Sequence, residues 1–118
     1  VVIDYFTEWC PYCRQAAEKV DYYIEEDVTM FSVMVQNQWG NTPRVEDVER
    51  WASAYQLEPT EVLAAGDYIK DPNGEWGPDL QAYPSFIIID RDMIVREKVM
   101  GWSLELMQDL IADIKSEE

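Results

Sequence analysis

Residues 7–14 read TEWCPYCR, and Cys10 and Cys13 are the only cysteines in the chain. What surrounds them decides the fold. The preceding VVIDYFT (1–7) is a short apolar run without helical spacing, rich in β-branched residues, and reads as a buried strand. From Pro11 to Glu26 the apolar positions fall at helical intervals, with Ala16, Val20 and Tyr23 or Ile24 on one face. Pro11 suits a first helical turn, where its missing N–H costs nothing. The cysteines therefore stand where a strand hands over to a helix.

The rest of the chain builds outward from that junction. VTMFSVMVQ (28–36) reads as a second, mostly buried strand. Thr42 is a candidate N-cap with Pro43 behind it, for a helix whose stripe runs Val45, Val48, Trp51 or Ala52, and Tyr55. A long connection over 58–84 is expected to hold a short helix or strand and a turn at Asn73-Gly74. SFIIID and MIVREKV form a hairpin across Arg91-Asp92, and Ser103 caps a last helix that buries Leu104, Met107, Leu110 or Ile111, and Ile114. A βαβ unit puts its strands parallel with a right-handed crossover, and the hairpin adds antiparallel strands to the same sheet. The expected architecture is α/β: one mixed sheet flanked by helices, in a single domain spanning residues 1–118. The Cys10–Cys13 junction falls where open α/β sheets place their chemistry.

Bulk composition narrows the chemistry. At 118 residues the chain can bury roughly two-thirds of its unfolded surface, so it needs neither a disulfide nor a metal merely to fold. Asp and Glu number 24 against 9 Lys and Arg, a formal net charge of −15, which opposes nucleic acid and anionic membrane surfaces and leaves neutral or basic proteins as partners. The absence of histidine excludes Ser-His and Cys-His hydrolytic arrangements and the usual His-containing metal sites. The apolar runs are too short to span a membrane. The chain opens directly on VVIDYF without an initiating Met, which leads us to expect a targeting or anchor segment upstream.

A thiol at a helix N-terminus faces unpaired N–H groups and the positive end of the macrodipole, and both favour the thiolate. Thiols so placed titrate at about 3.5–7.5 rather than at the free value of about 8.5. Two intervening residues bring the second sulfur within bonding distance across one turn. Cys10 is thus the expected nucleophile and Cys13 the resolving thiol. A purely structural disulfide here would close a very short loop and constrain the unfolded chain little. A zinc half-site would lack the further His or Cys needed for four ligands. Glu8 is expected to oppose thiolate formation next to the motif, and Arg14 to contribute solubility.

VVIDYFTEWCPYCRQ is similar to the strand-to-helix segment of the thioredoxin superfamily, including the Trp before the first Cys and an Asp six residues before it. YPSFIIIDRDMIVREKVMGWS resembles the family's cis-proline strand, hairpin and closing glycine, which implies those roles for Pro84 and Gly101. WASAYQL followed by a long connection looks most like the TlpA/ResA-type thiol-disulfide oxidoreductases. Pro-Tyr between the cysteines is the glutaredoxin dipeptide, but no glutaredoxin-like glutathione site accompanies it. Thioredoxin's first strand and helix have no counterpart in the sequence.

The resemblance implies a protein thiol-disulfide oxidoreductase, a reductant rather than an oxidant, cycling between a Cys10–Cys13 disulfide and a dithiol. Its partners would be protein thiols or disulfides and an upstream redox donor, with no metal or organic cofactor. It would work in the periplasm or otherwise outside a bacterial cytoplasm, with the cytoplasm as the alternative. Trp9, Pro11, Tyr12, Tyr83 and Pro84 would form the substrate-binding rim. Other readings remain open: a disulfide oxidase or isomerase, or a redox-inert interaction module. Asp4 shares its strand face with Val2 and Phe6; it is either a proton relay to Cys13 or a carboxylate paired or solvated at a strand edge. Trp39, Trp51 and Trp76 read as core or loop anchors.

Overall fold

A computed structural model describes residues 1–71, 73 and 78–118. The elements run β1 (Val2–Thr7), α1 (Pro11–Glu18), α2 (Val20–Tyr23), β2 (Met30–Gln36), α3 (Val45–Tyr55), β3 (Val62–Ala64), β4 (Ser85–Ile89), β5 (Val95–Met100) and α4 (Leu104–Ser116). Single 3-10 turns at Pro59–Glu61 and Asp67–Ile69 flank β3. The strands form one sheet in the order β3-β2-β1-β4-β5. β1 and β3 pair parallel with β2, while β4 runs antiparallel to both β1 and β5. The result is the mixed sheet flanked by helices that the sequence predicts. β1 is central, and its carboxyl end leads straight into the cysteine motif.

Side chains alternate across β1, so Val2, Asp4 and Phe6 share one side of the sheet. Both core clusters lie on that side. One joins Val2, Phe86 and Ile88 to Tyr23 and to Met107, Ile111 and Ile114 of α4. The other joins Phe6 and Met34 to Ala17 of α1 and to Val48, Trp51 and Ala52 of α3. Phe6 and Trp51 stack with centroids 4.4 Å apart. On the other side Ile3, Tyr5, Phe31, Val33, Ile87 and Ile89 are only half-buried. No helix among the described residues is long and apolar enough to cross a membrane.

Local departures from the predicted elements have local causes. The first helix does not run unbroken to Glu26: it breaks at Lys19 and resumes as α2, which ends at Tyr23. The Tyr23 hydroxyl donates to the Ala16 carbonyl (3.1 Å), the acceptor that an unbroken helix would give to Val20. α3 is capped by Arg44 rather than Thr42, because the Arg44 N–H donates to the Asp47 carboxylate (2.8 Å) one turn inside. Val45 consequently faces solvent instead of the core. Ser103 caps α4 as predicted, accepting from the Leu106 N–H (3.2 Å). Trp51 is buried, but Trp39 is 67% exposed and anchors no core. Gly74 of the predicted Asn73-Gly74 turn, and Trp76, lie outside the described residues.

Candidate active site

The turn between β1 and α1 delivers both thiols to one place. Cys10 is the N-cap of α1, and its Sγ accepts from the Cys13 N–H at 3.1 Å. Pro11 occupies the first helical position. The Cys10 thiol donates toward the Tyr83 carbonyl at 3.5 Å, so the segment before β4 closes over it. The Tyr83–Pro84 peptide is cis, and Pro84 is buried. The two thiols are free and both are buried, Cys10 at 3% exposure and Cys13 at 0%. Burial pushes the Cys13 thiol well above its ordinary range, with further contributions from its hydrogen bond to Cys10 and from the charge of Asp4.

Asp4 lies beneath this pair in the central strand. It is 3% exposed, and its Oδ1 has no hydrogen-bond partner among the described residues. Burial alone raises its carboxyl from 3.8 to about 8. Asp4 is therefore not the paired or solvated strand-edge carboxylate that one sequence reading expects: β1 has a neighbour on each side, Asp4 is buried, and no ion pair to it occurs among the described residues. Asp4 also contributes, after burial, to raising Tyr23.

The rim brings some predicted residues together and leaves others apart. Trp9, 43% exposed, meets Tyr83 edge-on with centroids 6.2 Å apart. Its Nε1–H donates to Gln36 Oε1 (2.9 Å), and Gln36 Nε2 in turn donates to Asp67 (3.0 Å). Tyr12 is 61% exposed and makes no hydrogen bond or ring contact among the described residues. Arg14 has a structural task beyond solubility: its guanidinium donates to the Trp9 carbonyl (3.1 Å) and toward that of Glu8 (3.5 Å).

Sequence reasoning misses the group behind the motif. Glu8 is buried, and Arg50 of α3 grips its carboxylate through Nε (2.7 Å) and Nη2 (2.8 Å). The Gln38 N–H donates to the same carboxylate (3.0 Å). Arg50 Nη2 also reaches the buried Asp47 (2.7 Å), which accepts from Asn37 Nδ2 as well (3.2 Å). Burial works against the Asp47 charge, yet the Arg44 N–H, Arg50 and Asn37 together hold its carboxyl below the usual range. Glu8 is thus not the free charge the sequence suggests. The one legible signal was Asp47–Arg50 at i,i+3; the partner 42 residues away was not. Among the described residues no group of three His, Cys, Asp or Glu side chains is placed to hold a metal ion.

No protein-family model and no curated protein sequence matches the chain. Solved structures do. A thiol-disulfide isomerase from Corynebacterium glutamicum superposes with a TM-score of 0.62 at 18% identity, over 99% of this chain and 80% of that one. A secreted disulfide oxidoreductase of Mycobacterium tuberculosis, homologous to E. coli DsbE, gives 0.58 at 17% identity over 95% and 79%. An exposed lipoprotein thioredoxin of Streptococcus pneumoniae gives 0.58 at 13% over 98% and 82%. The chain has the thioredoxin-like fold that these proteins share.

Proposed function

We propose that the protein is a thiol-disulfide oxidoreductase that reduces disulfides of other proteins with its Cys10–Cys13 dithiol. The observation that carries this reading is the Cys10 Sγ, fixed at a helix N-terminus between the Cys13 N–H and the Tyr83 carbonyl. The Cys10 thiolate attacks one sulfur of a substrate disulfide, forming a mixed disulfide and expelling the other substrate sulfur as a thiolate. Cys13 then loses its proton and attacks Cys10 Sγ. The second substrate thiolate leaves, and two electrons have passed from the dithiol to the substrate. A further dithiol donor resets the cycle, and the chemistry uses no metal or organic cofactor.

Asp4 is the base for that second step. Its carboxyl titrates near neutrality beside a thiol that holds its proton tightly, so a proton passes from Cys13 to Asp4 directly or through one water. Trp9, Pro11, Tyr83 and Pro84 form the wall that a substrate strand meets, with Tyr12 at its outer edge. The likeness to a secreted oxidoreductase and an exposed lipoprotein supports a site of action outside the cytoplasm. An insulin-reduction assay with dithiothreitol tests the activity: turbidity should develop well ahead of the dithiothreitol control. A rate equal to that control would leave a redox-inert interaction module.

A further inference from the structure

Two aromatic rings flank Cys10. Trp9 precedes it in the chain, and Tyr83, whose carbonyl accepts from the Cys10 thiol, packs on the cluster that holds both cysteines. The rings meet edge-on at 6.2 Å, and Cys10 is left 3% exposed. Both rings are tied to the 3-10 turn Asp67–Ile69. Trp9 Nε1–H donates to Gln36 Oε1 (2.9 Å), and Gln36 Nε2 donates to both Asp67 oxygens (3.0 and 3.3 Å). From the other side, Lys70 pairs with Asp67 at 3.3 Å, and its ammonium stands over the Tyr83 ring, 5.9 Å from the centroid. Trp9, Gln36, Asp67, Lys70 and Tyr83 thus close a ring of contacts.

The chemistry of each group fixes its place in that ring. A carboxylate accepts and an indole N–H donates, so the amide between them has one orientation. Side chains three apart in a 3-10 turn eclipse, which turns Asp67 and Lys70 the same way. The Gln36 bond, and after it Lys70, hold the Asp67 carboxyl below the usual carboxylate range. The turn is seated on β2, where the Ala65 N–H donates to the Met34 carbonyl (2.9 Å), two residues before Gln36. As a source of stability the ion pair counts for little, because the Asp67 side chain is 59% exposed. Its position matters instead. We propose that Asp67 is a positioning residue for the entrance to Cys10: it holds Trp9 through Gln36 and Tyr83 through Lys70, and so sets how bulky a disulfide the thiol can meet. This rests on Cys10 being the nucleophile of the proposed function. It also names the substrates preferred there: disulfides on slender, exposed chain segments, ahead of those hemmed in by folded structure.

The test uses the full chain carrying Cys13→Ser, so that an alkylating reagent has one destination. Iodoacetamide and its N-pyrenyl derivative, both uncharged and sharing one reactive group, label Cys10 in parallel, and the ratio of the bulky to the small rate is read. A change in thiolate fraction multiplies both rates and cancels in the ratio, which therefore reports the entrance. Gln36→Leu releases Trp9 while the Asp67 charge stays; Asp67→Ala releases both rings. One hydrogen bond of ordinary net strength shifts an open–closed equilibrium about two- to tenfold. We expect the ratio to rise by that factor in Gln36→Leu and by at least as much in Asp67→Ala. General loosening of the fold is measured with Ile114→Val, a core substitution in α4 with no part in the ring of contacts. An unchanged ratio in Asp67→Ala would overturn the proposal, and so would an equal rise in Ile114→Val. Should Asp67→Ala fail to fold, Gln36→Leu decides: a ratio at the parent value refutes the idea. The ratio is read without any substrate protein, so it can fail while insulin reduction succeeds, and the reverse.

Discussion

Buried carboxylates flank the dithiol on two sides, and the fold treats them in opposite ways. Behind the motif, Glu8 and Asp47 share Arg50, with backbone and amide donors completing the set. Beneath it, among the described residues, Asp4 has no cation and its Oδ1 has no donor. The first arrangement fixes a loop and cancels charge. The second leaves a carboxyl that gains or loses a proton near neutrality, which is useful only where a proton must move. One kind of side chain thus serves as an anchor in one place and as a base in the other, and the presence of a counter-ion makes the difference.

The largest expected effect isolates the unpaired side. Asp4→Asn keeps the shape and removes the base, and should slow release of substrate from Cys10 by about 10- to 100-fold, the lower range of general-base contributions. Rapid-quench measurement of the mixed-disulfide lifetime checks this, and resolution at the wild-type rate would remove Asp4 from the mechanism.

Stability should respond in opposite directions on the two sides. Arg50→Met strands two buried carboxylates and should cost about 2 kcal/mol by urea unfolding. Complete burial would make that loss about 3–5 kcal/mol, but the Arg50 side chain is 41% exposed. Asp4→Asn should instead gain about 2 kcal/mol at pH 7, because the folded chain no longer opposes ionisation. Equal signs for the two variants would collapse the distinction.

The pH dependence sharpens it further. The Asp4 carboxyl titrates at about 8 in the folded chain against an ordinary 3.8, so between those values the folded state holds a proton that the unfolded state releases. Its contribution therefore makes stability fall as pH rises through that window. Asp4→Asn should flatten this part of the curve, measured as the urea midpoint at a series of pH values. Smallest of all should be Tyr83→Thr, which touches neither carboxylate group. Tyr83 covers a thiol that is 3% exposed, so trimming it should widen the range of protein disulfides attacked and change dithiothreitol reactivity less than twofold.

Much of this was legible along the chain because it depends on near neighbours. Alternation along VVIDYFT places Asp4 on the core side, and the change to helical spacing at Pro11 places Cys10 at a helix start. What sequence spacing does not carry is the meeting of distant side chains. Arg50 reaches Glu8 only because α3 packs its Trp51 on Phe6. Trp39 reads as an anchor from its size, yet its loop is organised by the Asn37 side chain, which accepts from the N–H groups of Trp39 and Asn41 and leaves the ring outside. The helix break at Lys19 likewise depends on a hydroxyl four residues further on returning to Ala16.

Ile3, Tyr5, Phe31, Val33, Ile87 and Ile89 stand half-exposed on the side of the sheet away from both core clusters. Between electrically neutral particles such a surface promotes sticking. Here each copy carries a formal −15, and like particles repel over a screening length of about 8 Å at physiological salt. That colloidal protection fades as the solution approaches the isoelectric point near 4.1. We expect flocculation to precede denaturation on acidification: solutions should cloud on titration toward pH 4 while the secondary structure is still intact, and clear again when base is added.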